Sequence, residues 1–500
     1  MNAADTSTAA HGPGGIGHVV VIGGGISGLA AAHRLLDGGA RVTVLEASGR
    51  LGGKLRAGEI AGVPVDLGAE SMLARRPEAV ELARAVGLGE RLQPPSTATA
   101  RLWTRGALCP MPKGHVMGVP GDLGPLVASG VISPEGLARI EEDVRLPRTE
   151  VGEDVAVGEY VARRMGREVV DRLVEPLLGG VYAGDAYQIS MRAAVPQLFE
   201  AARSSRSLLD GVRGIQSRAA ATVHQAGAAA TGSVQDSPVF MGIAGGIGTL
   251  PGAVADAVRA KGGEIRTGTP VAAVQRTADG WRIAVDGAAL TADAVVLATP
   301  APATARLLAA VGKPAAAELS TVEYASMALV TMAFRRADMG RARRIIGSGF
   351  LVPPVDGRKI KASTFASNKW GWIGAADPDL FVLRTSLGRY GDEEDLERED
   401  AELVRLSRTD LREAMGLTAA PVATEVTRWY DGLPQYPVGH LARVARIRDA
   451  VAQLPGLRVC GALYEGVGIP ACIASAHRAA DDILGTLRPG TLAGEREWTA

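Results

Sequence analysis

Cysteine is scarce: Cys109, Cys460 and Cys472 are the only thiols in 500 residues. Three scattered thiols exclude a disulfide framework and a cysteine-built zinc site, and the odd count suits a reducing, cytoplasmic compartment. Net charge is missing too, with 54 Lys+Arg against 54 Asp+Glu. A balanced chain lacks the clustered cations that grip nucleic acid, so none is expected as a partner. No stretch approaches the ~18 uninterrupted apolar residues of a membrane-crossing helix. Residues 1–17 show no basic start followed by an apolar run, so they read as a flexible leader and not a secretory signal. No metal-ligand cluster and no catalytic triad stands out. What remains is a globular mixture, 47% hydrophobic and 22% charged, long enough for about two to four domains.

The chain opens with HVVVI at 18–22, a short apolar run that suits a buried parallel strand. ISGLAAAHRLL at 26–36 has helical spacing and strong helix formers, and RVTVLE at 41–46 reads as a second strand. Strand, turn, helix and strand within 30 residues open a doubly wound α/β layer. From about 77 to 211 the pattern is mostly helical, and 218–234 is a low-complexity insert. Strands return at 281–287, 293–300, 327–334 and 380–387, and a helix is expected over 393–415. Residues 457–484 again read as strand, glycine loop and helix.

Between the first strand and helix stands Gly23-Gly24-Gly25-Ile26-Ser27-Gly28, the spacing G-x-G-x-x-G. Gly23 permits the turn, Gly25 admits a pyrophosphate to the backbone, and Gly28 lets helix and strand pack closely. The helix start offers free N–H groups and partial positive charge to the phosphates. Glu46, followed by Ala47, ends the second strand where its carboxylate can accept ribose hydroxyls and repel a 2′-phosphate. Arg50-Leu51-Gly52-Gly53-Lys54 supplies a second glycine approach flanked by cations.

That second element resembles the R-x-G-G of the FAD-dependent amine oxidase and porphyrinogen oxidase superfamily. Val295 to Pro300, with Ala298 and Thr299, resembles its strand beside the cofactor. Gly461 and Gly466-Val467-Gly468-Ile469 resemble its C-terminal flavin motif, where a helix start would stabilise charge on the reduced ring. Further segments narrow the likeness. Asp66-Leu67-Gly68-Ala69-Glu70-Ser71 is similar to D/E-L-G-P-D/E-S, with Ala69 in place of proline. Glu175 to Asp185 is close to E-P-L-x-x-G-[IV]-Y-A-G-D, Gly245 to Pro251 resembles G-G-x-x-x-L-P, and Trp429 with Leu433-Pro434-Gln435-Tyr436 resembles W…[LM]-P-Q-Y. From about 18 to 485 the chain resembles the bacterial FAD-dependent coproporphyrinogen III and protoporphyrinogen oxidases.

The pattern of elements, together with the resemblance, predicts a mixed α/β fold with three parts. A Rossmann-like FAD-binding domain would use 18–76, 235–300 and 425–488. A sheet-containing substrate domain would use 77–100, 200–217 and 301–424, and a helical domain 101–199, with a tail at 489–500. The resemblance implies that Gly68, Ala69, Glu70 and Ser71 lie along the isoalloxazine, that Val271 meets the adenine side, and that Trp429 sits near the ring. It implies six-electron oxidation of coproporphyrinogen III, or alternatively protoporphyrinogen IX, with flavin N5 accepting hydride and O2 giving H2O2. A ferrochelatase or a peripheral membrane contact is the further partner it suggests. No proton acceptor is assigned, and His115, His440 and His477 read as structural. Propionates need cations: Arg75 and Arg76 follow the Gly68–Ser71 segment, and Lys359 and Lys361 stand two apart on an expected strand, facing one side. An amine oxidase, a desaturase-like flavoenzyme and a non-catalytic flavin-binding scaffold stay open as alternatives.

Overall fold

HVVVI is buried at all five positions, as a strand covered on both faces must be. It forms β1 (His18–Ile22), passes through a glycine turn into α1 (Ile26–Asp37) and returns as β2 (Arg41–Leu45). The computed structural model describes residues 16–229 and 238–487. Three distant strands complete a parallel sheet around this opening: β3 (Glu264–Arg266), β4 (Ala294–Leu297) and β5 (Leu457–Val459). The order is β3-β2-β1-β4-β5.

Side chains alternate across this sheet because successive strand residues point to opposite faces. Val19, Val21, Val42, Val44 and Val296 pack under α1 and α2 (Ile469–Leu487). Val20, Ile22, Leu45, Val295 and Leu297 pack on the other side against Trp281, Ile283 and Leu308. Each such burial contributes about 1.5–3 kcal/mol before conformational entropy is charged against it.

A second, seven-stranded sheet runs in the order 423–434, 324–335, 380–387, 360–364, 349–351, 100–104 and 107–110. Its pairings are antiparallel except between 349–351 and 100–104. Helix Asp400–Met415 covers one face with Leu403 and Leu411 against Phe334 and Leu383. A third core is helical, gathered around Leu173, Phe199 and Val212. Inside it Arg164 and Asp143, both wholly buried, pair at 2.5 Å. Arg164 also donates to the carbonyls of Pro147, Asp143 and Arg206, and Asp143 accepts from Ser207 Oγ and Leu209 N.

Several segments sit in other layers than expected. Helix Pro77–Ala85 packs Ala79, Leu82 and Ala83 into the core beneath α1, not the substrate domain. Helices Ala301–Leu308 and Lys313–Ser320 close the far face of the parallel sheet. Leu208, Leu209 and Val212, from the stretch 200–217, belong to the helical core. Residues 100–104 and 107–110 join the second sheet, and strand Ala423–Pro434 pairs along Tyr324–Arg335 instead of extending the dinucleotide layer. The cause is common to all: periodicity marks a buried face but not its partner. Helix Leu208–Ala229 runs into the expected insert, whose residues 230–234 lie outside the described residues, as do 1–15 and 489–500.

Candidate functional site

The carboxyl ends of β1, β2 and β4 open onto a cavity of about 680 Å³ that continues to the edge of the second sheet. This is the usual place for a ligand in a parallel α/β sheet, and the volume falls within the range of cofactor sites. Eight separated stretches of the chain line it, from Ile22 to Cys472.

At the sheet end stand Gly23, Gly25, Ile26 and Ser27. Gly25 caps α1 without any side-chain hydrogen bond, so the first-turn amides remain available to a ligand. Gly28 is set back, and its role is packing: a Cβ there would lie 1.8 Å from the Gly23 carbonyl oxygen. Gly24 donates its N–H to Glu46 Oε2 at 2.7 Å, while Glu46 Oε1 accepts from Ser48 N and Oγ. Those bonds fix the carboxylate at the cavity wall and still leave lone pairs for hydroxyls. Beside it Gly52 N donates to Gly24 O at 2.9 Å, which ties the second glycine loop to the first.

Ala47, Arg50, Gly53 and Lys54 complete this end of the wall. Burial holds both cations below their usual range. Neither forms an ion pair among the described residues: Arg50 donates to Gly53 O and Lys54 to Asp431 O. A diphosphate between them would relieve that desolvation, so the donor set fits a dinucleotide. Val271, Ala298 and Thr299 line the cavity.

The same wall also carries Ala69, Trp429, Gly461, Val467 and Ile469; Ala69 N donates to Lys54 O at 3.3 Å, and the Arg50 and Lys54 cations each stand 5.7 Å from the centre of the Trp429 ring. Trp429 Nε1 donates to Leu67 O at 3.1 Å, which orients the indole across the wall. Gly68 does not line the cavity; it is wedged, for a Cβ there would meet the Lys54 carbonyl oxygen at 2.1 Å and Trp429 at 3.2 Å. Ser71, Gly466 and Gly468 also lie outside the lining, although Val467 between the two glycines reaches it. The Glu70 side chain does not line the cavity; it is buried in an ion pair with Lys369 and Arg384.

The four expected propionate cations do not line this cavity. Arg75 is exposed, and Arg76 pairs with Glu78 at 2.7 Å. Lys359 is exposed and pairs with Asp395 at 2.7 Å, whereas Lys361 is buried and donates to Gly388 O at 2.6 Å. They do not share a face, because Lys359 precedes the strand and an irregularity follows Ile360, where simple alternation breaks.

Tyr324, Tyr464, Arg306, Leu433 and Pro434 also line the cavity. Sequence reasoning missed Arg306, which helix Ala301–Leu308 brings in about two turns after the Ala298-Thr299 segment. Helical spacing from Thr299 was the available signal for it.

The geometry accords with what is known of similar proteins. A family model described as flavin containing amine oxidoreductase matches residues 26–484. The coproporphyrinogen III oxidase of Bacillus subtilis (strain 168) is 33% identical over 93% of this chain and 98% of its own. The coproporphyrinogen III oxidase of Mycobacterium bovis is 36% identical over 93% of this chain and 97% of its own. A crystal structure from Exiguobacterium sp. 255-15, provisionally assigned as a protoporphyrinogen oxidase, superposes with a TM-score of 0.81 at 33% identity, covering 93% of this chain and 98% of that one.

Proposed function

The chain belongs to the flavin containing amine oxidoreductase family, and on that premise we propose that it oxidises coproporphyrinogen III to coproporphyrin III. It is a flavin-dependent oxidoreductase. The observation that carries the substrate is likeness over 93% of the chain to enzymes of that name. That span takes in the helical core and the second sheet, not the dinucleotide layer alone.

The flavin in this reading is FAD, because the cavity extends past the phosphate end to Val271 and Arg306, leaving room for an adenosine. The bound flavin supplies a two-electron acceptor. Six electrons leave the macrocycle in three rounds, and three O2 become three H2O2. The protein supplies position, dryness and charge. The α1 amides with Arg50 and Lys54 would hold the diphosphate, and the Glu46 carboxylate would accept hydrogen bonds from the ribose hydroxyls. Trp429, Ala69, Leu433 and Pro434 exclude water at the ring end.

The test is a side-by-side assay of coproporphyrinogen III and protoporphyrinogen IX on FAD-loaded protein, reading porphyrin fluorescence and peroxide together. Faster turnover of the tetra-propionate substrate is expected. No turnover of either one refutes porphyrinogen oxidation, and preference for protoporphyrinogen IX refutes the substrate choice.

A further inference from the structure

Behind the cavity wall lies a charge cluster that the proposed reaction does not use. The Glu70 carboxylate is buried between two cations: Lys369 Nζ reaches Oε1 at 2.5 Å and Arg384 Nη2 reaches Oε2 at 3.3 Å. Burial alone would raise this carboxyl, but the charges of Arg384 and Lys369 outweigh it and hold it below its ordinary value. Arg384 turns its other nitrogen outward, where Nη1 donates to Gly68 O at 2.7 Å. Gly68 precedes Ala69, which lines the cavity and donates its N–H to Lys54 O at 3.3 Å. Asp66, two residues earlier, is fixed by the N–H groups of Ile247 and Gly248, and burial pushes it up to about 6. The cluster thus sets two carboxylates against two cations in a poorly solvated place, directly behind the cavity wall at Gly68 and Ala69.

We propose that Lys369, Glu70 and Arg384 form a positioning network that fixes the Gly68–Ala69 wall and sets the reduction potential of the bound flavin. The proposal rests on the flavin reading of the cavity. Two effects follow from the geometry. Arg384 holds the Gly68 carbonyl, so the wall keeps one distance from the ring. The charges act through a low-dielectric medium on a ring that becomes more electron-rich on reduction, so each partly buried cation favours the reduced form and each carboxylate disfavours it. None of the three residues touches the reacting atoms through this arrangement; they act through the wall and through their field.

Sign separates a field from a general loss of structure. Lys369→Met removes a cation and is expected to shift the flavin midpoint potential downward. Glu70→Gln removes an anion and is expected to shift it upward. Lys369→Arg keeps the charge and is expected at the parent potential. Each variant is purified with its flavin and titrated reductively against a reference dye, with circular dichroism as a check of folding. Opposite shifts for the first two variants support the network. Equal potentials throughout, or shifts of the same sign, overturn it, as does loss of flavin from Lys369→Arg as well as Lys369→Met, which marks the pair as a prop for the fold alone. Parent protein that never retains flavin refutes the underlying reading instead.

Discussion

Gly28→Ala tests whether the first glycine turn holds the cofactor through backbone contact. The new Cβ would sit 1.8 Å from the Gly23 carbonyl oxygen, whereas ordinary contact begins near 3.4 Å. The obstacle is backbone, so no side-chain rotation relieves it, and α1 must retreat from β1 by about 1.5 Å. Overpacking of this kind costs about 1–3 kcal/mol in stability. The larger effect falls on the ligand. The α1 amides aim at the diphosphate, and hydrogen bonds to charged groups are worth about 1.5–3 kcal/mol each. Misaligning two of them forfeits about 3–6 kcal/mol, and at 1.4 kcal/mol per decade that weakens FAD binding by about 10²–10⁴-fold. Apoprotein is titrated with FAD and the quenching of flavin fluorescence followed, with circular dichroism to confirm that the helices remain. An affinity within about tenfold of the parent, in folded protein, refutes the packing argument and the diphosphate assignment together.

Asp143→Ala strands the fully buried Arg164 and is expected to cost about 3–5 kcal/mol in urea unfolding. A double variant, Asp143→Leu with Arg164→Met, should recover much of that loss, and neither change should alter FAD affinity. Trp429→Phe leaves the Leu67 carbonyl without its indole donor and should cost about 1–3 kcal/mol, read as weaker FAD binding with unchanged secondary structure. Stability should also pass through a minimum near neutral pH. Burial pushes the Glu175 carboxyl up to about 7 from 4.5, and burial with the Arg389 charge pushes the Lys361 amine down to about 7 from 10.5. Between pH 4.5 and 7 the folded Glu175 keeps a proton that the unfolded chain has lost, so stability falls as pH rises. Between 7 and 10.5 the unfolded Lys361 keeps a proton that the folded chain has lost, so stability rises, each limb sloping at most about 1.4 kcal/mol per pH unit. Chemical unfolding across pH should lose the acid limb in Glu175→Gln and the alkaline limb in Lys361→Met; unchanged limbs refute the assignment.

What could be read from the sequence was set by how local its cause is. The turn from β1 into α1 was legible because Gly23, Gly25 and Gly28 answer to steric demands within six residues, and the structure leaves no space at Gly28. Trp429 and the 461–469 segment were legible only through motif resemblance, yet they line the same cavity as the glycine turn from over 400 residues away. The misplaced propionate cations show the opposite case. Alternation along a strand puts residues two apart on one face only while the register is regular, and the irregularity after Ile360 separates Lys359, paired at the surface with Asp395, from Lys361, buried against Gly388. Glu70 shows a third case. Its place in a flavin-family segment suggested a cofactor contact, but Lys369 and Arg384, some 300 residues on, capture its carboxylate. A buried carboxylate takes whichever cations the fold brings to it, since leaving it unpaired costs several kcal/mol. Those partners come from the second sheet and the short helix beside it, so the Gly68–Ala69 wall of the cavity depends on how the two sheets are brought together. Charge changes at Lys369 and Glu70 test that dependence where changes in the glycine turn cannot.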